Sequence, residues 1–446
     1  MLAPMASSWF RVYRFATGAL APFAARRLAR AAAGAPELRA RQPERRGHVP
    51  DAGGEIWIHA ASVGELTAAE PLVRALVDRQ RRIVLTTLTH TAAEQARRRF
   101  ADCDAVRHLF APLDTVASVS RWLDHTRPSA LLLVETEIWP VMLDQCRRRS
   151  IPAALVNARI SGRAMRRYKR FAGLFRHALS AVDPVLCQDD ASRQRFETLG
   201  VDGKRIAVTG NLKFDADSPA APSDELRSWQ RLWSARPTWV AGSTHAGEES
   251  IVADAHCRLL KEHPKALLLV VPRHPERAPE AFDVLRQAGL EACMIDDWPA
   301  RVAQGNNRPG REKAVDIQAI VVDRMGVLTG LYPLVDACMV CGSLVEGTGG
   351  HNLIEPALAG KPILTGLHTA DQQAAADGLD SANGLVRVDS EAALADALAK
   401  LFTQPEFARQ LAGSASAFAE SQRGALNRTL VKLEPWLQQS ANQLTN

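Results

Sequence analysis

The stretch that decides the fold is Gly54-Glu-Ile-Trp-Ile-His-Ala-Ala-Ser-Val-Gly-Glu65, which is followed directly by Leu66 to Gln80. The first half is a short apolar run that follows Gly53 and Gly54, a pattern typical of a buried strand. The second segment repeats Ala69, Leu72 and Leu76 on one face, a spacing that predicts a helix. A strand that turns straight into a helix is the repeating unit of a parallel α/β sheet.

Outward from this junction, apolar runs and helical patterns alternate along almost the whole chain. Strands are predicted at 54–61, 83–87, 130–134, 153–156, 185–187 and 206–209, and then at 239–241, 266–271, 291–295, 319–322, 337–340 and 362–364. A Pro/Ser/Ala-rich linker begins at Asp215 and separates the two series. We therefore predict an N-terminal segment (1–50), a first Rossmann-like domain (51–214), a second one (215–420) and a C-terminal helix (421–446) of uncertain placement. Ligands of such sheets bind at the carboxyl ends of the strands, so a cleft between two lobes is expected.

The charge of the chain is concentrated at its N-terminus. The whole chain carries a net charge of +6, but residues 1–50 alone hold nine arginines against Glu37 and Glu44. The remaining residues are therefore close to neutral. A neutral body lacks the extended basic face of a nucleic-acid-binding protein, so no nucleic acid is expected as a partner.

Composition excludes several further classes of protein. A hydrophobic content of 46% with 23% charged residues is that of an ordinary globular chain. Seven scattered cysteines predict reduced thiols rather than a disulfide framework. The pair Cys338 and Cys341 lies inside an apolar run, which indicates a buried strand rather than a metal site. No P-loop, HExxH or GxSxG motif is present, and no metal-ligand spacing is found.

The N-terminal segment predicts contact with a membrane surface. Aromatic residues such as Trp9, Phe15 and Phe23 are interspersed with Arg11 and Arg14. Arginines inside the apolar stretch fit a cleaved signal peptide poorly, and no run is long enough for a standard transmembrane helix. A basic helix lying in the interface of an anionic bilayer is expected, and an ordinary helix packed on the body is the alternative.

Two junctions of the first domain carry acidic residues. Gly64 is expected to allow a tight turn, and the dipole of the following helix is expected to keep Glu65 ionised as a general base. The alternative role of Glu65 is helix stabilisation alone. Glu135 and Glu137 follow a predicted strand and, in an extended segment, would face the same side. They are expected to meet a ligand or to cap the next helix.

The second domain carries junctions suited to a phosphorylated ligand. Arg273 and His274 follow a predicted strand, where they could hold an anion. The segment from Ser343 through Gly350 to Asn352 is a glycine-rich loop that leads into a helix, whose free N–H groups could meet a phosphate. Glu355 could then bind a ribose diol. A bare turn is the alternative.

These motifs together resemble the Kdo transferases, the 3-deoxy-D-manno-oct-2-ulosonic acid transferases of lipopolysaccharide assembly. The matching segments are His59-Ala-Ala-Ser-Val-Gly-Glu65, Glu135-Thr-Glu-Ile-Trp-Pro140, Asn157-Ala-Arg159, Gly210-Asn-Leu-Lys-Phe214, Val271-Pro-Arg-His-Pro-Glu-Arg277 and Gly349-Gly-His-Asn-Leu-Ile-Glu-Pro356. They occur in the family's order from about residue 40 onward. The resemblance therefore covers most of the chain.

The resemblance implies a GT-B fold of two Rossmann-like lobes and an inverting, metal-independent transfer that needs no cofactor. CMP-Kdo would be the donor and a lipid A precursor the acceptor, on the cytoplasmic face of the bacterial inner membrane. The resemblance implies that Glu65 is the catalytic base, that Glu135 is also required for catalysis, and that Arg273, Asn352 and Glu355 bind the donor. The further candidates are His274, Gly326, Ser343 and Gly350 for the donor, and Ser62, Gly64, Glu137 and Lys213 for the acceptor or the cleft.

Two departures and two rival functions remain. Val327 stands where many members carry Glu, and the loop from Val345 to Gly350 is one residue longer than common forms. One rival is a UDP-sugar transferase or epimerase of the same architecture, and the other is an inactive membrane scaffold. The number of Kdo residues transferred, the acyl form of the acceptor and the oligomeric state do not follow from the sequence.

Overall fold

The computed structural model describes residues 8–31, 36–215, 222–233, 235–298 and 317–444. They form two compact units. Unit 1 comprises the described residues up to 215 together with those from Arg423 onward, and unit 2 comprises those from 222 to Gln422. Parts of the predicted N-terminal segment (1–7 and 32–35) and of the predicted linker (216–221) lie outside the described residues.

Each unit is built on a parallel sheet of seven strands. The strands of unit 1 are β1 (Ile56–His59), β2 (Ile83–Thr87), β3 (Val106–Phe110), β4 (Ala130–Val134), β5 (Ala153–Ala158), β6 (Val182–Cys187) and β7 (Ile206–Val208), in the order β3-β2-β1-β4-β5-β6-β7. Those of unit 2 are β8 (Thr238–Thr244), β9 (Leu267–Pro272), β10 (Ala292–Met294), β11 (Ala319–Val321), β12 (Ala337–Val340), β13 (Ile363–Thr365) and β14 (Val386–Arg387), in the order β10-β11-β9-β8-β12-β13-β14. The prediction of two Rossmann-like α/β arrays is confirmed.

Helices follow the strands in both units. The N-terminal series is α1 (Ser8–Ala31), α2 (Pro36–Ala40), α3 (Val63–Asp78), α4 (His90–Arg99), α5 (Val116–Thr126), α6 (Pro140–Arg148), α7 (Gly162–Arg170), α8 (Ala172–Leu179) and α9 (Asp190–Thr198). Unit 2 carries α10 (Asp224–Trp233), α11 (Glu248–Glu262), α12 (Ala278–Gln287), α13 (Leu328–Leu331), α14 (Ile354–Leu358), α15 (Gln373–Ser381), α16 (Glu391–Thr403) and α17 (Pro405–Ser421), and α18 (Ala425–Leu444) ends the series.

The inner strands are apolar throughout because helices cover both faces of each sheet. In β4, Leu131 and Leu133 belong to one hydrophobic cluster, whereas Leu132 and Val134 belong to the cluster on the opposite face. This two-residue alternation with both faces buried is the usual pattern of a central parallel strand. It explains why continuous apolar runs predicted these strands correctly.

Two edge strands were missed by the sequence patterns. Strand β3 carries Arg107 and His108, so it lacks a continuous apolar run, and β14 is only two residues long. Both lie at the edge of their sheets. Edge strands are covered on fewer sides and therefore tolerate polar residues, which removes the apolar signal.

The C-terminal helix α18 belongs to unit 1. Leu430, Leu433 and Leu437 pack into the same cluster as the apolar face of α3. The carboxylate of Asp215 accepts hydrogen bonds of 2.6 Å from the backbone N–H groups of Gly424 and Leu426, which caps the start of the helix. The last helix thus completes the hydrophobic core against which α3 packs.

Helix α1 is packed on unit 1 on one side and exposed on the other. Phe10 is fully buried in the core, and the Tyr13 hydroxyl donates a hydrogen bond of 2.9 Å to the buried carboxylate of Asp114. Phe15, Leu20 and Phe23 on the remaining surface are each more than 60% exposed. Among the described residues, no helix is both long enough and apolar enough to cross a membrane.

Candidate active site

The β1–α3 junction places Glu65 in the first turn of α3. The Ser62 hydroxyl accepts a hydrogen bond from the Glu65 N–H at 3.4 Å, and Glu65 Oε2 accepts one of 2.6 Å from the N–H of Ala61. This reciprocal arrangement is a variant of the capping box that fixes a helix start. Gly64 lies within the helix, and a Cβ there would meet only Ser62 Oγ at 3.9 Å. The tight turn expected at Gly64 is not found, because this residue already belongs to the helix.

The electrostatic setting of Glu65 opposes ionisation. Burial raises the pKa of Glu65 to about 8, with further contributions from the charges of Glu137 and Glu135. The prediction that the helix dipole keeps Glu65 ionised is therefore wrong, because burial and two neighbouring carboxylates outweigh it. A carboxylate with this pKa is a much stronger base than an exposed glutamate.

Glu135 has the opposite setting immediately after β4. It is buried, and its Oε1 lies 2.6 Å from Lys213 Nζ. Burial works against ionisation, but the charges of Lys213 and Arg159 outweigh it and hold the pKa of Glu135 below its ordinary value. Its backbone has φ of +59°, a left-handed conformation that non-glycine residues rarely adopt.

Glu137 does not share the direction of Glu135. The left-handed backbone at Glu135 breaks the extended conformation, so the expected same-side arrangement of the two residues is not supported. Glu137 Oε2 accepts a hydrogen bond of 2.6 Å from the indole N–H of Trp139 and lies 3.4 Å from His59 Nε2. Glu137 therefore links the loop after β4 to the end of β1.

Two supporting residues lie in the quoted motifs but were not selected from the sequence. His59 is fully buried, and its Nδ1 lies 3.0 Å from the Thr86 hydroxyl. This contact orients the ring so that its other nitrogen, Nε2, faces Glu137. Asn157 also has a positive φ, and its Oδ1 accepts a 2.9 Å hydrogen bond from the N–H of Leu212. That bond anchors the turn that carries Lys213. Only three-dimensional contact reveals these roles.

Unit 2 contains a histidine cluster beside Arg273. The rings of His245 and His351 are stacked with centroids 5.0 Å apart, and their Nε2 atoms are 2.8 Å apart. His274, which is exposed, meets the ring of His245 edge-on at 6.2 Å. Burial, together with the positive charge of Arg273, lowers the pKa of His351 to about 3, and burial also lowers the pKa of His245. The stacked pair is thus neutral near pH 7, and Arg273 supplies a positive charge beside it.

The glycine-rich loop of unit 2 already holds an internal anion. The fully buried carboxylate of Glu248 accepts hydrogen bonds of 2.8–3.0 Å from the backbone N–H groups of Gly342, Ser343 and Leu344, and one of 2.9 Å from the backbone N–H of His245. The loop N–H groups expected to face a phosphate are occupied at these three positions. Concave sets of N–H groups of this kind bind anions.

Ser343 has a structural role instead of the predicted donor contact. Its hydroxyl donates to the carbonyl of Val340 at 2.7 Å and accepts from the N–H of Gly366 at 2.8 Å. Its backbone carbonyl accepts a hydrogen bond from the backbone N–H of His368, and its own N–H donates to the carboxylate of Glu248. Ser343 is completely buried, so no polar atom is left for a ligand. The prediction for this residue is corrected.

The other residues predicted for the donor surround the starts of two short helices. Asn352 Nδ2 donates to Glu355 Oε1 at 2.9 Å, and the Thr329 hydroxyl donates to Glu355 Oε2 at 2.8 Å, so Glu355 ties α14 to α13. Gly326 and Gly350 have φ of +82° and +83°. Val327, which stands where many Kdo transferases carry Glu, packs against the hydrophobic cluster beside α13 and so supplies an apolar contact.

Comparison with known proteins identifies the family. The family model of 3-deoxy-D-manno-octulosonic acid transferase (Kdo transferase) matches residues 40–216. A transferase of that name from Haemophilus influenzae is 35% identical over 91% of this chain and 93% of its own length. The Bordetella pertussis transferase of the same name is 33% identical over 98% and 97%. The chain belongs to the Kdo transferase family.

Membership of the Kdo transferase family confirms the resemblance and makes the protein a glycosyltransferase. A solved structure of UDP-GlcNAc 2-epimerase from Neisseria meningitidis, bound to UDP-GlcNAc, matches with a TM-score of 0.58 over 85% of this chain and all of that chain. Its sequence identity is 13%, so it supports the GT-B type of fold alone. The UDP-sugar rival therefore rests only on fold, whereas Kdo transfer rests on sequence relationship along nearly the whole chain.

Metal ligands are not grouped in the described part of the chain. Among those residues, no set of three or more His, Cys, Asp or Glu side chains is arranged to hold a metal ion. The seven cysteines all carry free thiols.

Proposed function

We propose that this Kdo transferase moves Kdo from CMP-Kdo to a sugar hydroxyl of a lipid A precursor, with inversion at the anomeric carbon and without a metal ion. The observation that carries the mechanism is the setting of Glu65. A buried carboxyl group with a pKa of about 8 can take a proton from a hydroxyl as that oxygen becomes a nucleophile.

The proposed step has a simple balance of bonds and protons. The acceptor oxygen forms a bond to the anomeric carbon of Kdo as its proton passes to Glu65, and the bond from that carbon to the CMP phosphate oxygen breaks. CMP leaves with the electron pair of that bond. Glu135 stays ionised beside Lys213, which gives the site a fixed pair of charges to orient the acceptor.

The donor side of the proposal rests on unit 2. Arg273 is half-buried beside a neutral histidine pair, which suits it to stabilise the charge that develops on the leaving phosphate. His274, Gly326, Gly350, Asn352 and Glu355 remain proposed donor contacts. We place Ser343 and Glu248 behind the donor loop, where they hold its shape.

The membrane side of the proposal rests on α1. Its exposed apolar residues and arginines suit a helix that lies in the interface of an anionic bilayer while Phe10 holds it to unit 1. We propose a peripheral association with the cytoplasmic face of the bacterial inner membrane, where the lipid acceptor is accessible.

The test of the mechanism is a Glu65→Gln substitution. The amide can still accept the Ala61 hydrogen bond, so the fold is kept while the base is removed. Mass spectrometry of products from CMP-Kdo and a lipid A precursor should show a loss of turnover on the order of 10²–10⁴-fold. Glu70→Gln, which changes a partly exposed glutamate of the same helix, should stay within a few-fold of the unchanged protein. Full turnover by Glu65→Gln would overturn the mechanism.

The choice of donor is tested by binding. Calorimetric titration with CMP-Kdo, UDP and UDP-GlcNAc should give saturable binding of the cytidine compound alone. Tighter binding of UDP-GlcNAc would restore the UDP-sugar alternative.

A further inference from the structure

A groove with an unusual lining lies between α1 and the start of α5. Its volume is about 790 Å³, and Arg11, Arg14, Arg46 and Arg121 line it. The four arginines come from three separate parts of unit 1: α1, the segment around Arg46, and α5. The fold has therefore brought together four positive charges that are far apart in the sequence.

These arginines lack the carboxylate partners that neighbouring arginines have. Arg41 is 2.7 Å from Glu44, Arg97 is 2.8 Å from Glu37, and Arg149 is 3.0 Å from Asp124. Within the described residues, none of the four groove arginines lies within 4.0 Å of a carboxylate oxygen. Arg121 donates to the carbonyl of Arg46 at 2.8 Å, which is a neutral acceptor. Their positive charge is thus uncompensated and available to an anion.

The wall of the groove between these charges is mostly apolar, with Thr115 and Ser118 as its polar residues. Phe15, Pro22, Leu113 and Val116 line it together with small residues of α1. A free inorganic anion would gain nothing from such a wall, whereas an acyl chain would be removed from water there. The lining as a whole matches a molecule with a phosphate at one end and a hydrocarbon chain at the other.

We propose that the groove between α1 and α5 binds one anionic phospholipid of the membrane, with its phosphate among the four arginines and the start of an acyl chain along the apolar wall. The proposal rests on the membrane contact under the proposed function and makes it specific. Phe15 and Phe23 are exposed on the same helix, so α1 would present the groove to the bilayer from which the lipid comes. A volume of this size suits one head group with part of a chain rather than a multiply acylated disaccharide.

The test uses a short-chain lipid that stays monomeric, so that adsorption to a bilayer plays no part. Dihexanoyl phosphatidylglycerol, below its critical micelle concentration, is titrated calorimetrically into the full-length protein. One saturable site is expected. Dihexanoyl phosphatidylcholine and free glycerol 3-phosphate should each bind at least about tenfold more weakly, since each lacks either the net charge or the chain.

Two variants examine the groove, and a third is their matched control. Arg46→Gln with Arg121→Gln should weaken phosphatidylglycerol binding at least about tenfold. Ala21→Trp, which fills the groove without a change of charge, should do the same. Arg26→Gln with Arg27→Gln removes the same charge from α1 outside the groove and should leave the affinity unchanged.

Four outcomes would overturn the proposal: no saturable binding of phosphatidylglycerol, equal losses in the control pair, equally tight binding of glycerol 3-phosphate, or displacement of the lipid by stoichiometric lipid A precursor, which would make the groove an acceptor site. Kdo transfer is measured in the unchanged protein and in the same variants. If the unchanged protein transfers Kdo but binds no phosphatidylglycerol, the groove proposal fails and the proposed function stands. If the unchanged protein transfers no Kdo, the proposed function fails instead.

Discussion

At the scale of single residues, unit 1 separates two carboxyl groups by their surroundings. The pKa of Glu65 is raised by burial and by its acidic neighbours, whereas the charges of Lys213 and Arg159 lower the pKa of Glu135 and keep it ionised. Neighbouring acids with divergent pKa values are typical of sites in which one group exchanges a proton and the other remains charged. The sequence located both residues, but their different protonation depends on Lys213, which lies 78 positions from Glu135.

The pH dependence of transfer follows from this setting. Below pH 8 an increasing fraction of Glu65 is protonated and cannot act as a base, so kcat/KM should fall on the acidic side of about 8. Glu137→Gln removes a negative charge that raises the pKa of Glu65. The acidic limb should therefore shift to lower pH. A pH profile of kcat/KM between 6 and 10, on the order of ten points, measures the shift.

Glu70→Gln is the control for this profile, because Glu70 pairs with Arg74 and Arg99 rather than with the acidic group. An unshifted limb in Glu137→Gln would contradict the role assigned to the neighbouring charge.

Glu248 supplies a second prediction at this scale. In Glu248→Gln the amide N–H₂ would face backbone N–H groups that now donate to a carboxylate, so at least one buried donor loses its partner. We expect a loss of about 1–3 kcal/mol in the stability of unit 2 and a higher KM for CMP-Kdo. Thermal unfolding and donor titration measure these effects, with the exposed Glu346→Gln as control. Unchanged values in both measurements would show that the loop does not depend on Glu248.

Glu248 also marks a limit of sequence interpretation. The loop from Ser343 to Asn352 was recognised as an anion-binding pattern, and the structure contains the anion, but it is a side chain 94–96 positions away. Local patterns predict which N–H groups are free of helix or strand partners. They do not predict whether the protein itself or a ligand fills them.

At the scale of elements, α1 combines the two alternatives considered from the sequence. It packs on the body through Phe10 and Tyr13, and it also exposes an apolar surface. Deletion of residues 1–33 would therefore remove core packing along with any membrane contact. Point substitutions separate the two effects.

We expect Leu20→Ser with Phe23→Ser to lower binding to phosphatidylglycerol vesicles, because both side chains are more than 60% exposed and neither lines the groove. Thermal stability should stay unchanged. Phe10→Ala should instead destabilise unit 1 by about 3–5 kcal/mol, since it leaves a cavity in the core. Sedimentation with vesicles and calorimetry measure the two quantities. Vesicle binding that survives the double substitution would place the membrane contact elsewhere.

The predictability of elements depended on burial. Inner strands such as β2, β4 and β12 were located with correct limits because both faces are covered, which demands apolar residues at every position. The start of α3 was placed too late, at Leu66, because the cap at Ser62 begins the helix before its apolar face does.

At the scale of the whole molecule, the chain leaves unit 1, builds unit 2 and returns. Asp215, at the exit, caps α18, at the return, across more than 200 positions. Helical periodicity predicted the last helix, but its partner could not be inferred, because the apolar face of α18 would suit either sheet.

Asp215→Ala should destabilise unit 1 selectively. Loss of the cap at the start of α18 costs about 0.5–2 kcal/mol. If the two units unfold as separate transitions in calorimetry, the transition of unit 1 should move to lower temperature while that of unit 2 stays in place. Asp224→Ala, at the start of α10 in unit 2, is the comparison variant. Equal shifts of both transitions would contradict the assignment of α18 to unit 1.

The return of the chain has a consequence for biosynthesis. While the ribosome makes unit 2, at about 5–20 residues per second, the surface of α3 that α18 covers has no partner. Unit 1 therefore completes its packing only after the segment from Arg423 has been made, although most of unit 1 is encoded first. The helix that carries Glu65 is thus among the last parts of unit 1 to become fully packed.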